Sequence, residues 1–196
     1  MLKFLQEFWR AICSREGRYQ LLYAMVREMP SKYGLIARSA IMSRQFAAAG
    51  ANVQVLEGAR FRNADKIRCG RNLGVGNDVM LQAGGGIEFG DDVLLGPGVK
   101  IWTQNHESKD INVPIREQGY RYASVTVGDD CWIGANAFIL PGVHLPRGCV
   151  VAAASLVAVK AYREYSIIAG NPARLLGYRN TPPKPEPAQS DESHEQ

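Results

Sequence analysis

Histidine is scarce in this 196-residue chain: there are three, and one of them, His194, sits close to the C-terminus. The four cysteines, Cys13, Cys69, Cys131 and Cys149, form no CxxC pair. A structural zinc site needs four converging nitrogen or sulfur ligands at short spacings, so no metal site is expected. No apolar run approaches the roughly 20 residues needed to span a bilayer. The start, Met1-Leu2-Lys3-Phe4-Leu5, soon meets Glu7, Arg10, Arg15 and Glu16, unlike a secretory signal. Free thiols without an export signal predict a cytoplasmic protein. Strong charge of one sign is also missing. The net charge of +4 suits anionic ligands but is too small to argue for nucleic acid, and no nucleic-acid partner is expected.

Glycine is plentiful and clustered. Most of the 20 fall between Gly70 and Gly148, as a turn-dense repeat requires. From Val127, aliphatic residues recur at every sixth position: Val127, Ile133, Ile139, Leu145, Val151 and Val157. Four places after the first five come compact residues, Cys131, Ala137, Val143, Cys149 and Ser155. The same period runs upstream with two-residue slips, as Val55 and Phe61, then Cys69, Val75 and Leu81, then Phe89, Leu95 and Ile101. A period of six fits neither a helix nor an alternating strand; it is the mark of a hexapeptide solenoid. Three hexads close one triangular coil, with coils stacking about 4.8 Å apart and the aliphatic residue pointing inward. Gly90, Gly96, Gly128 and Gly134, just after aliphatic positions, are expected to serve tight turns. Cys131 and Cys149 should stack in adjacent coils as core residues.

The flanks differ from this middle. Residues 1–50 read as helical, with Leu2, Leu5, Phe8, Trp9 and Ile12 at helical spacing, then Leu21, Leu22, Met25, Val26 and Met29. Gly17 and the stretch from Pro30 to Gly34 mark expected breaks. Eight Lys/Arg against three Glu give this section a net +5. Two readings stay open, a solvated helical face or a basic amphipathic surface resting on anionic lipid at about 1 kcal/mol per basic residue. Residues 51–180 hold the β-solenoid. Residues 181–196 contain Pro182, Pro183, Pro185 and Pro187 and nothing apolar larger than Ala188, so a disordered tail is expected.

The repeat is interrupted once on a large scale, between Ile101 and Val127, by an extended loop over 103–126. A long loop held at both ends by a rigid scaffold is usually functional. Its root carries Asn105-His106, followed by Pro114-Ile115 and Gln118-Gly119-Tyr120. Beyond it stand Cys131-Trp132-Ile133-Gly134-Ala135-Asn136, Ile139-Leu140-Pro141-Gly142-Val143 and Ala169-Gly170-Asn171-Pro172-Ala173-Arg174. In these residues, spread from about 55 to 179, the chain resembles the hexapeptide-repeat acyltransferases. Within them it is similar to sugar O-acetyltransferases of the maltose and galactoside type and to acetyltransferases of polysaccharide gene clusters.

That resemblance implies a mainly β, left-handed parallel β-helix preceded by α-helices, assembled as a homotrimer. It implies acetyl-CoA as co-substrate, no metal, and a sugar or glycan acceptor. The expected activity is O-acetylation of a hydroxyl on a surface polysaccharide (capsule, O-antigen or exopolysaccharide) or its lipid-linked precursor, with peripheral contact at the inner membrane face. It makes His106 the general base, a role suited to an imidazole largely neutral near pH 7. Asn105 and Gln82 become acceptor contacts. Trp132, Ala135 and Ala153 line the pantetheine groove, while Arg174 and Lys160 meet CoA phosphates. Two departures stand out: Ala152-Ala153-Ala154-Ser155 replaces Gly-Ala-Gly-Ser, and Ala158-Val159-Lys160-Ala161 is one residue longer than the usual Thr-Lys-Asp connection. The same donor could instead serve an amino-sugar nitrogen or an antibiotic hydroxyl. A non-catalytic hexapeptide protein or a zinc anhydrase of this fold is a further alternative, but three convergent histidines are wanting for the anhydrase.

Overall fold

The computed structural model describes residues 2–179; the sequence-predicted tail lies outside the described residues. Three helices come first, α1 (Leu2–Cys13), α2 (Arg15–Val26) and α3 (Ser31–Gln45). The first break falls at Ser14, not Gly17. The Ser14 hydroxyl accepts from the Gly17 N–H at 2.9 Å, an N-cap that absorbs Gly17 into the first turn of α2. Gly34 lies inside α3, where a Cβ would stand 1.9 Å from the Met29 carbonyl oxygen. The tight α2–α3 link therefore depends on that missing methyl.

Arg38 on α3 is 1% exposed. Its Nε donates to the Val55 carbonyl at 3.0 Å, and one terminal nitrogen donates to the carbonyls of Met29 (2.6 Å) and Val26 (3.1 Å). A cation thus satisfies the carbonyls ending α2 and ties them to the first β-coil. One of the eight basic residues counted over 1–50 is consequently structural, and the surface charge of the helical section is smaller than its sequence suggests. Met42, Tyr19, Tyr23 and Phe46 continue the same apolar core into the solenoid.

From Ala48 the chain winds through three sheets, which form the faces of a prism. Face A holds strands 48–49, 67–69, 87–89, 125–127 and 144–145. Face B holds 54–55, 74–75, 94–95, 132–133, 150–151 and 166–170, closed by an antiparallel strand over 173–178. Face C holds 60–62, 80–82, 100–102, 138–139 and 156–157. Pairing along face B places Val55, Val75, Leu95, Ile133, Val151 and Ile168 in one column, none above 4% exposed. Each such side chain contributes about 1.5–3 kcal/mol by leaving water. All six hexad aliphatics from Val127 to Val157 are buried, as are the five compact residues between them. The Cys131 and Cys149 thiols donate to the backbone carbonyls of Pro146 at 3.1 Å and Arg163 at 3.4 Å, and the neighbouring Cys149 together with burial pushes the Cys131 thiol up.

Coil length is not uniform. Partners on face B are 20 residues apart from Gln54 through Gly74 to Leu94, but 18 apart from Trp132 to Val150. The extra two residues sit at the corner between faces C and A, where the first coil makes a 3-10 turn over Ala64–Lys66 and the second passes through Gly84–Gly86. This is the origin of the upstream slips.

The corner glycines have a different task from the one expected. Gly90, Gly96, Gly128 and Gly134 are not the residues with positive φ; a Cβ on each would lie 2.6–2.8 Å from a backbone nitrogen of the next coil. The left-handed residue comes two places later, at Asp92, Gly98, Asp130 and Asn136, with φ between 54° and 69°. Asn and Asp tolerate that conformation better than other side chains. Ala154, at φ 57°, occupies the same place without a polar side chain.

Candidate active site

The long insertion leaves the prism at the widened corner between faces C and A. Thr103 is fully buried at its root. Its backbone N–H and its hydroxyl both donate to the Gln82 carbonyl, at 3.1 and 2.7 Å, and its Oγ1 accepts from the Gly85 N–H at 2.8 Å. From this anchor strand 104–106 runs out and pairs antiparallel with 120–122. His106 faces Tyr120 across the ladder, with ring centroids 4.4 Å apart. Beyond the ladder the Gln118 amide clamps the loop, donating to the carbonyls of Asp110 and Val113, both at 2.7 Å, and accepting from the Asp110 N–H at 3.1 Å. The insertion is thus a hydrogen-bonded hairpin, and it presents an exposed imidazole braced by an aromatic ring. Tyr120 was visible in the sequence motif, but its place beside His106 came only from strand pairing.

Asn105 is exposed next to His106 and pairs in register with Arg121. Gln82 lies at the root of the hairpin and is 3% exposed. Its Oε1 accepts from the Gly84 N–H at 2.9 Å, so this side chain supports the corner turn beneath the hairpin.

A second group gathers around the corner between faces B and C. Ala153 stacks on Ala135 through the bond from the Ala154 N–H to the Ala135 carbonyl at 2.8 Å. Trp132, three residues before Ala135, stands on face B beside Leu94, and both are more than half exposed. At the C-terminal end the Lys160 ammonium donates to the Ala173 carbonyl at 3.3 Å, which brings it next to exposed Arg174. The Ser155 hydroxyl accepts from the Gly170 N–H at 3.1 Å and pins the turn before Arg174. A corner of small residues flanked by two cations can hold an extended thiol arm against backbone and meet phosphates by charge-assisted hydrogen bonds. Within one chain these two groups occupy different corners, with face C between them.

His144 projects from face A against Thr126. Among the described residues no group of three His, Cys, Asp or Glu could hold a metal ion.

The fold, a parallel β-helix of stacked three-strand coils, is similar to that of solved hexapeptide-repeat acetyltransferases. The family model described as hexapeptide repeat of succinyl-transferase matches residues 124–157. The maltose O-acetyltransferase of Clostridium difficile 630 is 27% identical, with a TM-score of 0.72 over 86% of this chain and 87% of that one. A hexapeptide-repeat acetyltransferase of Vibrio cholerae O1 biovar eltor, solved with acetyl coenzyme A, is 25% identical, with a TM-score of 0.67 over 85% and 91%. A protein of Mycobacterium tuberculosis named a probable acetyltransferase is 34% identical over 113 residues, 58% of this chain. The chain spans only 37% of that relative's length.

Proposed function

We propose that this protein is an acetyl-CoA-dependent O-acetyltransferase acting on a sugar hydroxyl. One observation carries the reading: a hairpin braced on the prism presents an exposed His106 against Tyr120, and a corner of small residues is flanked by Lys160 and Arg174. In this mechanism the acceptor hydroxyl gives its proton to the His106 imidazole while its oxygen takes the acetyl group from the thioester. The imidazolium then returns the proton to the departing thiolate. General-base help of this kind is worth about 10²–10⁴-fold, and holding both substrates in one cleft supplies much of the remainder. Trp132, Ala135 and Ala153 would hold the pantetheine arm, Lys160 and Arg174 the phosphates, and Asn105 the acceptor.

The shared-site reading is that a homotrimer builds the cleft between copies. What supports it is the separation of the two groups on one chain, together with exposed Leu94, Trp132, Leu175 and Leu176 on face B. The hairpin of one copy then reaches the small-residue corner of the next. The acceptor we infer is a surface polysaccharide or its lipid-linked precursor, met by a cytoplasmic enzyme resting on the inner membrane face. Support comes from exposed Leu5, Phe8, Trp9, Leu21, Leu22 and Met25 on α1 and α2, with basic residues in the same section. No helix among the described residues is long and apolar enough to cross a membrane.

The test is thioester release from acetyl-CoA over a panel of galactosides, maltose, amino sugars and phosphate-linked sugars, with His106→Ala as control. Release that needs both a sugar and His106 supports the proposal. Release with amino sugars alone would move it to N-acetylation, and no His106-dependent release would sink it. Light scattering should give a mass near three chains, and anionic liposomes should bind the protein in a salt-sensitive way.

A further inference from the structure

We infer that the groove between α2 and face C binds the phosphate of a phosphorylated saccharide, so that the acceptor is presented as a sugar phosphate ester. This rests on the sugar-acetyltransferase reading above. The groove has a volume of about 290 Å3, close to the lower end for small-molecule sites. Its floor is aromatic: Tyr19 stacks on Tyr23 at 6.0 Å, and Tyr23 meets Phe61 edge-on at 5.8 Å. Its rim carries Arg27, Arg60 and Arg62, and no acidic residue lines it.

Arg27 is paired with Glu28 at 2.8 Å. Among the described residues, no carboxylate forms an ion pair with Arg60 or Arg62. Arg60 and Arg62 are two apart on one strand, so both leave face C on the same side, and both line the groove. Two guanidiniums lining one groove with aromatic rings suit a phosphate joined to a body with an apolar face, since guanidinium matches phosphate bidentately and rings accept the carbon-bound hydrogens of a pyranose.

Position links the groove to the hairpin. Arg62, Gln82 and Trp102 form one column on face C. Two coil spacings make Arg62 to Trp102 roughly 10 Å. Trp102 directly precedes Thr103, from which the strand carrying His106 departs. A phosphate on Arg60 and Arg62 would therefore lie two coils from the root of the hairpin that carries His106.

Both nucleotide-linked and polyprenol-linked sugars display this chemistry. The experiment is calorimetric titration with UDP-glucose and, separately, with polyprenyl-phosphate-linked glucose in mixed micelles, at low and at physiological salt. The expected result is salt-sensitive binding of at least one probe, weakened at least tenfold in Arg60→Ala/Arg62→Ala. The Arg60→Lys/Arg62→Lys variant should recover part of the loss, and acetyl-CoA binding and thermal midpoint should be unchanged in both. Tighter binding in one arm identifies the source of the phosphate. No binding of either probe, or equal binding by the double alanine variant, overturns the proposal. His106-dependent thioester release across sugars with and without a phosphate, measured on the same samples, tests the acetyltransferase reading separately.

Discussion

The corner between faces C and A is built three ways in one molecule. In the C-terminal half it is tight: Ile139 on face C and Leu145 on face A are six residues apart. In the first two coils it spans eight residues, from Phe61 to Cys69 and from Leu81 to Phe89, and in the third it opens into the hairpin that carries His106. The in-register columns continue undisturbed past all of these, from Ile87 to Val125 and from Phe89 to Val127. A solenoid corner can lengthen freely because its hydrogen bonds run between coils and depend little on the path around the edge. Chemistry is thus added where packing is least constrained.

That contrast can be tested by breaking each side of it. His106→Ala, at the opened corner, should lower turnover at least about a hundredfold with acetyl-CoA affinity and thermal midpoint nearly unchanged. Steady-state kinetics beside a melting curve check this. Ile139→Ala, at the tight corner, should do the reverse and cost about 3 kcal/mol in chemical denaturation, since its side chain is fully buried. Arg38→Met leaves the carbonyls of Val26, Met29 and Val55 without their buried donor and should cost about 2–3 kcal/mol, loosening the helical cap before the coils. Hydrogen exchange would show early opening of α2 and α3. Arg174→Ala should raise the apparent Michaelis constant for acetyl-CoA about tenfold, or 1.4 kcal/mol, with little change in turnover. The smallest effect should come from Ala154→Gly. Relief of a left-handed alanine, less the added chain entropy of glycine, should stabilise the protein by about 0.5–1 kcal/mol.

Much of this architecture was readable from residue spacing. The six-residue period and its compact partners correspond to columns of buried side chains, because a repeat that must fill one prism leaves its imprint at every turn. The two-residue slips were readable as well, though not that all of them fall at one corner. The glycines were misjudged for a physical reason. Close approach of neighbouring coils is a contact between residues far apart in sequence, as between Gly134 and Ala153, and local turn rules do not contain it. Arg38 looked like one more surface cation, since nothing in a helix sequence announces which carbonyls a guanidinium will meet.

The sequence by itself determined the solenoid, the place of the interruption and the motif around His106, because each is a local pattern or an inward-facing repeat. Only the tertiary structure decided the hairpin register that sets Tyr120 against His106, the burial of Arg38, and the groove that Arg60 and Arg62 share with α2. Each of these joins segments that share no period. Their meeting is settled by how strands pair and helices dock, and spacing along the chain does not encode it.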